Sequence, residues 1–211
     1  MARDLNPKCK LCRRAGEKLF LKGERCFGAK CALTKRNYPP GIHGNKFRQR
    51  LTDYGIHLKE KQKVKRIYGI LEKQLRKYFT EATKSKTETG LKLIELLERR
   101  MDNVVYRAGL AVSKQQARQM VSHGLFKINN KKIDVPSCLV KVNDIISIKK
   151  DRSLEQGVLA ENIKKIKKTQ DSPAWLIWNE KEKTIKIVSL PEKKDLTTSI
   201  DTRLIVEFYS K

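Results

Sequence analysis

Between Ser113 and Val135 the hydrophobic period changes from that of a helix to that of a strand, and this switch constrains the fold more than any other part of the 211-residue chain. Ser113 and Gln116 have the S-x-x-Q spacing of a capping box. Gly124 suits a left-handed terminator. At about 100° per residue, Ala117, Met120 and Val121 share one face. Lys114, Arg118 and Ser122 lie at i, i+4 and i+8 on the adjoining face, with Gln115 and Gln119 beside them. After Gly124 the period becomes two. Phe126, Ile128, Ile133 and Val135 alternate with polar residues across Asn129-Asn130, a hairpin signal, and Lys127, Lys131 and Lys132 project from it. Ile145–Ile148 reads as a further strand leading into Lys149-Lys150. A narrow apolar stripe beside a basic, amide-rich face suits a phosphate backbone. Taken alone, the same helix fits an ordinary solvated face equally well.

Charge weighs toward the first reading. The chain carries 48 Lys and Arg against 23 Asp and Glu, a formal charge of +25. Such self-repulsion opposes compaction unless a polyanion neutralises it, and nucleic acid gains further from counterion release. The excess is uneven: residues 1–66 hold +14, residues 67–170 hold +11, and residues 171–211 are neutral. An RNA surface is therefore expected on the first 170 residues, and a protein-facing or packing role for the rest. The start Met1-Ala2-Arg3-Asp4 shows neither an apolar signal core nor a myristoylation glycine. With no run of 18 apolar residues, a cytosolic chain with no membrane partner is expected.

Four of the five cysteines crowd the first 31 residues, as Cys9-x2-Cys12 and Cys26-x4-Cys31. Two close thiolate pairs separated by a loop suit one tetrahedral zinc. With four ligands no open position remains, so the ion would be structural. His43 is an alternative ligand. Two disulfides are the competing reading, which a cytosolic location disfavours. Gly28 inside the second pair is expected to ease a tight knuckle. Lys8, Lys10, Arg13, Arg14, Arg25 and Lys30 surround the cysteines, so the metal would hold a basic cluster in shape. Cys138, among apolar residues, reads as core.

The Pro- and Gly-rich run from Asn37 to Gly44 reads as an ordered turn, followed by Lys46, Arg48 and Arg50. From Lys59, Val64, Ile67, Tyr68, Leu71, Leu75, Tyr78 and Phe79 give a long helical stripe, with Lys61, Lys65 and Arg66 mostly off it. Leu91 to Ala108 reads as a second helical run, broken near Glu98–Met101. Residues 151–171 read as a Lys-rich, weakly helical linker. The tail reads as strands at Trp175–Trp178, Thr184–Val188 and Leu204–Tyr209.

The runs LERRMDNVVYRAG at 97–109 and SKQQARQMVSHG at 113–124 closely resemble the ribosomal protein S4 family, whose RNA-binding module is widespread. CKLCRRAG at 9–16, YPPGIHG at 38–44, DYG at 53–55, EKQK at 60–63 and LIVEFYS at 204–210 extend the likeness over nearly the whole chain. The resemblance implies an α+β fold. A mostly helical body (45–96 and 174–211) would carry an inserted RNA-binding module (97–173, core 97–150), after an N-terminal zinc-binding region (1–44). It implies a non-enzymatic, cytoplasmic constituent of the small subunit. Such a protein binds a multi-helix junction in the 5′ domain of the rRNA, nucleates assembly, touches ribosomal protein S5, and supports accuracy near the path by which mRNA enters. Zinc is the cofactor implied and no small-molecule substrate is expected. With the charge pattern, the resemblance gives an RNA-contacting set of Arg3, Lys10, Arg13, Arg14, Lys22, Arg25, Lys30, Tyr38, His43, Lys46, Arg48, Arg50, Tyr54, Lys61, Lys65, Arg66, Lys114, Arg118, Ser122, His123, Lys127, Lys131 and Lys132.

Two other functional classes share features with this sequence. Pseudouridine synthases and tyrosyl-tRNA synthetases carry the same module, and Arg100-Met101-Asp102 faintly resembles a synthase Arg-x-Asp. The rest of the chain is too short for that catalytic domain, and no nucleophile–base pair stands out. Asp102 is instead expected to pair with Arg99 or a neighbouring helix. A zinc regulator of DNA would need a recognition helix for the major groove.

Overall fold

A computed structural model describes residues 5–46, 50–149, 162, 173–179, 182–192 and 200–210. The chain divides into two compact units, one made from residues 1–93 and 197–211, the other from residues 94–196.

The first unit opens with α1 (Lys8–Ala15), a 3-10 turn (Gly23–Cys26) and the short α2 (Ala32–Lys35). Then comes α3 (Asp53–Tyr68), whose cap Thr52 accepts a hydrogen bond from the Gly55 N–H at 3.2 Å. The expected continuous run from Lys59 to Phe79 is broken. Gly69 takes φ +62, and the Gly69 and Ile70 amides return to the Arg66 and Lys65 carbonyls. That closes one helix with a left-handed cap, and α4 (Glu72–Thr83) starts afresh. Val64, Ile67, Tyr68, Leu75, Tyr78 and Phe79 of the stripe are buried as read, while Leu71 is exposed at the break.

The last element corrects the strand expected at Leu204–Tyr209. In chain order it is α8 (Thr202–Ser210), a helix. Asp201 Oδ1 accepts from the Arg203 N–H at 3.0 Å, as an N-cap does. Ile205 is buried, and α8 packs along α3. His57 Nε2 lies 2.6 Å from Glu207 Oε2, and the Tyr54 and Phe208 rings are 5.7 Å apart.

The second unit contains α6 (Met101–Arg107), α7 (Lys114–Ser122) and five antiparallel strands in the order β2-β1-β3-β5-β4. These are β1 (Phe126–Ile128), β2 (Lys131–Ile133), β3 (Ile145–Ile148), β4 (Leu176–Asn179) and β5 (Thr184–Ile187). The break between α5 (Thr89–Glu98) and α6 falls at Glu98–Met101, as the sequence pattern predicts. Asn129 and Asn130 both have positive φ, +47 and +65, as a tight two-residue hairpin requires. A core of Met101, Val104, Val105, Leu110, Ala117, Val121, Phe126, Ile146, Ile185 and Trp175 lies between helices and sheet, with Cys138 half-buried against it.

Here the domain expectation is corrected. Trp175–Asn179 and Thr184–Ile187 do not join the body. They pair with β3 through Ile146↔Ile185 and with each other through Trp178↔Ile185, so residues 174–196 belong to the module's unit. The physical reason is that β3 would otherwise expose an unpaired edge. Of the expected linker helix only Asn162 is described; it donates to the Leu110 carbonyl at 2.9 Å.

Candidate nucleic-acid interface

Three elements of the second unit supply cations. The first is α7, where Ser113 Oγ accepts from the Gln116 N–H at 3.3 Å. The reciprocal bond goes one residue further back than a capping box places it, from the Val112 N–H to Gln116 Oε1 at 2.7 Å. Gly124 ends the helix with φ +68, its N–H on the Val121 carbonyl at 2.8 Å. Ala117, Met120 and Val121 are buried, and Ser122 and His123 are exposed.

The second element is the hairpin. Lys127 stands opposite Lys132 across the β1–β2 pair and opposite Ser147 across β1–β3. Like charges directly opposite each other are destabilising, so this row is one that a polyanion would relieve. A Cβ at Gly124 would lie 2.5 Å from Lys132 Cε, so the Lys132 stem crosses the end of α7. Lys132 thus lies at the C-terminal end of α7, where the negative end of the helix dipole is also favourable to a cation. Lys131 and Lys132 are exposed and Lys127 half-buried.

The third is a buried ionic layer that sequence reading largely missed. Arg100 holds Asp102 with two bonds, Nε to Oδ1 at 3.0 Å and Nη2 to Oδ2 at 2.6 Å. Arg118 Nη1 stands 3.7 Å from Asp102 Oδ2. The expected Arg99 partner is instead turned to Glu95 Oε1 at 2.9 Å and to the Val140 carbonyl. Lys114 lies 5.6 Å over the Tyr106 ring. Burial lowers its pKa to about 8, with Glu98 opposing and Arg107 assisting that shift. Arg118 is therefore oriented from beneath by a carboxylate, and Lys114 is only partly bathed in solvent. The one local signal for this layer is the clustering of opposite charges from Glu98 to Asp102.

In the first unit the expected cations separate into two groups. Lys10, Arg14, Lys22, Arg25, Lys30, His43, Lys46 and Arg50 are exposed. Arg13 is half-buried; it donates to the Tyr38 and Pro39 carbonyls and stacks 4.7 Å over the Tyr38 ring, so it braces the turn. Tyr54 is exposed against Phe208. Lys61 is buried, 2.8 Å from Glu72 Oε1 and 4.4 Å over the Phe208 ring. Lys65 joins the same carboxylate at 3.2 Å, and Tyr209 donates its hydroxyl to it at 2.9 Å. Burial works against ionisation of Glu72, but these three donors outweigh it and lower the carboxyl pKa. Lys61 is thus held within the packing of the first unit. Arg66 is half-buried. Arg3 and Arg48 lie outside the described residues.

The four cysteines line one pocket with Lys8, Leu21, Lys22, Arg25, Ala32 and Leu33. Cys12, Cys26 and Cys31 are buried, and Lys22 N–H points at Cys26 Sγ at 3.3 Å. Burial pushes the Cys12 thiol pKa up, and the other three cysteines add to that. At Cys31 burial also raises the pKa, but donors from Thr34 and Leu33 at the start of α2 bring it below the usual value. A thiol set of this kind fits zinc chemically. Among the described residues, however, no three possible ligands stand close enough to form a metal cluster. The knuckle glycine also differs: positive φ falls on Gly16 and Gly23, not on Gly28.

Comparison with known proteins matches residues 3–98 to the ribosomal protein S4/S9 N-terminal domain and residues 99–146 to the S4 domain. A protein of Thermodesulfovibrio yellowstonii named small ribosomal subunit protein uS4 is 50% identical, with both chains covered completely. Proteins of the same name from Acetivibrio thermocellus and Thermus thermophilus are 49% and 46% identical, again over the whole of both chains.

The chain belongs to the uS4 family of ribosomal proteins.

The uS4 family is one of structural ribosomal proteins, not of enzymes. The matched S4 domain contains α6, α7, the hairpin and the first half of β3, which is where the cation surface lies. In this uS4 chain the module continues past the matched boundary, since β4 and β5 complete its sheet. Among the described residues no helix is long and apolar enough to cross a membrane.

Proposed function

We propose that the chain is a structural constituent of the small ribosomal subunit in the cytoplasm. In this reading it binds the multi-helix junction of the rRNA 5′ domain early and nucleates assembly of the subunit body. The observation that carries the reading is the cation surface of α7 and the hairpin, with Arg118 set from beneath by Asp102 and Lys127 facing Lys132. A row of like charges has no structural benefit to the free chain and is relieved by phosphate. The exposed N-terminal cations, with Lys46 and Arg50 after the turn, extend the surface and suit a place near the path by which mRNA enters, where the protein would contribute to accuracy. One structural zinc on Cys9, Cys12, Cys26 and Cys31 would fix the shape of that region. The net-neutral segment 171–211 suits a protein neighbour, ribosomal protein S5.

The test is binding of the full chain to small-subunit rRNA at several salt concentrations, with Arg118→Ala and Lys132→Ala. Each variant should bind more weakly and make the log–log salt dependence shallower by roughly 0.7–0.9. Arg118 should matter more than Lys114, because its planar fork can bridge two acceptors. Wild-type affinity and slope in both variants would mean that the surface is merely solvated.

A further inference from the structure

Residues 18–30 carry a second feature that the phosphate argument does not use. The Phe27 ring is 73% exposed, although it caps an ordered turn with its N–H on the Glu24 carbonyl at 3.1 Å. One side of the ring is backed by Phe20, with centroids 5.0 Å apart and planes 32° from parallel. Phe20 itself sits at φ +50, a left-handed conformation that a phenylalanine adopts only under local constraint. The backbone thus accepts strain at Phe20 and still leaves its aromatic neighbour facing water. In the same segment Lys18, Lys22, Arg25 and Lys30 are all exposed, and Glu24 is its one carboxylate.

We propose that Phe27 is a stacking platform for one unpaired nucleobase of the bound RNA, flanked by cations that hold its phosphates. This rests on the rRNA-binding reading above and names the type of nucleotide the N-terminal region takes. Charge complementarity selects the occupant. An exposed aromatic face in a segment that carries four exposed cations offers little to an apolar protein partner but matches a flat π-system on an anionic backbone. Bases inside a duplex have no free face, so the base is unpaired or bulged.

The experiment measures binding of the full chain to small-subunit rRNA across a salt series, for wild type, Phe27→Ala, Phe27→Leu, Phe27→Trp and Arg25→Ala. Loss of one stacked base should weaken Phe27→Ala roughly 5- to 150-fold. Its salt slope should stay at the wild-type value, because no charge is removed. Phe27→Leu should lose nearly as much, and Phe27→Trp should bind as well as wild type or better. Thermal unfolding of each variant guards against misfolding, and a Phe27→Trp variant that binds normally shows that the site tolerates substitution. Wild-type affinity in Phe27→Ala, or full retention by Phe27→Leu, overturns the stacking role. If Arg25→Ala meanwhile shows the shallower slope, the RNA-binding reading survives that loss. If the wild-type chain does not bind the rRNA, both fall together.

Discussion

Arg107 grips Glu98 with two parallel hydrogen bonds, Nε to Oε2 at 2.9 Å and Nη2 to Oε1 at 2.8 Å, around a carboxylate that is fully buried. Asn103 adds a third donor to Oε2 at 2.7 Å. A buried pair of this kind holds only while each charge keeps its partner. Glu98→Ala leaves the Arg107 guanidinium buried without its counter-charge, and should destabilise the second unit by about 3–5 kcal/mol. Urea unfolding measures it; a change under about 1 kcal/mol would mean that water reaches the guanidinium.

Lys114 should give the module a pH-dependent stability. Its folded pKa, about 8, lies below the ordinary lysine value of 10.5, mainly through burial. Between those values the unfolded chain binds more protons, so stability rises with pH across that window and is lowest once pH falls below 8. The gain should be on the order of 1–3 kcal/mol. Urea unfolding at pH 7.5 and pH 10 would show it, and Lys114→Met should flatten the difference. An identical pH response in the variant would assign the effect to other groups.

Gly90 marks where α5 meets α8. A Cβ there would come within 2.7 Å of Thr202 Cβ. Gly90→Ala should therefore push the start of α8 away and cost about 1–3 kcal/mol, although alanine is the better helix former. Faster amide exchange in residues 202–210 is the expected signature, and unchanged protection would show that the contact yields freely.

Freshly purified, reduced protein should carry one zinc, lost in Cys12→Ser and in Cys26→Ser. Its removal should speed amide exchange through residues 5–46 and leave α6 and α7 protected. Elemental analysis showing no stoichiometric metal would end the proposal.

The legible parts of the fold were those fixed by neighbours in sequence. Ser113, Gln116 and Gly124 delimit α7 through local hydrogen bonds and one backbone angle, and Asn129-Asn130 sets its hairpin unaided. The illegible parts depend on distant partners. Lys61 has the same local pattern as an open cation, and its burial comes from Glu72 and Phe208. Leu204–Tyr209 is rich in strand formers, yet Asp201 was a cap signal that the β-propensity of the run obscured. Nothing near Trp175 says that its strand belongs beside β3, because strand pairing is non-local. At the site, the cations of α7 were visible as residue types, while the carboxylate beneath Arg118 appeared only with the fold.

Because α8 packs on α3 but follows the intervening module in sequence, the first unit cannot close until the last residues of the chain have been made. Domains fold largely as they emerge from the ribosome. The module's residues, 94–196, are all made before α8, so its core can close while α3 still waits for Ile205, Phe208 and Glu207. A nascent chain halted before Thr202 would show a protected α7 and an exchangeable α3, and α3 would become protected only after α8 had been made.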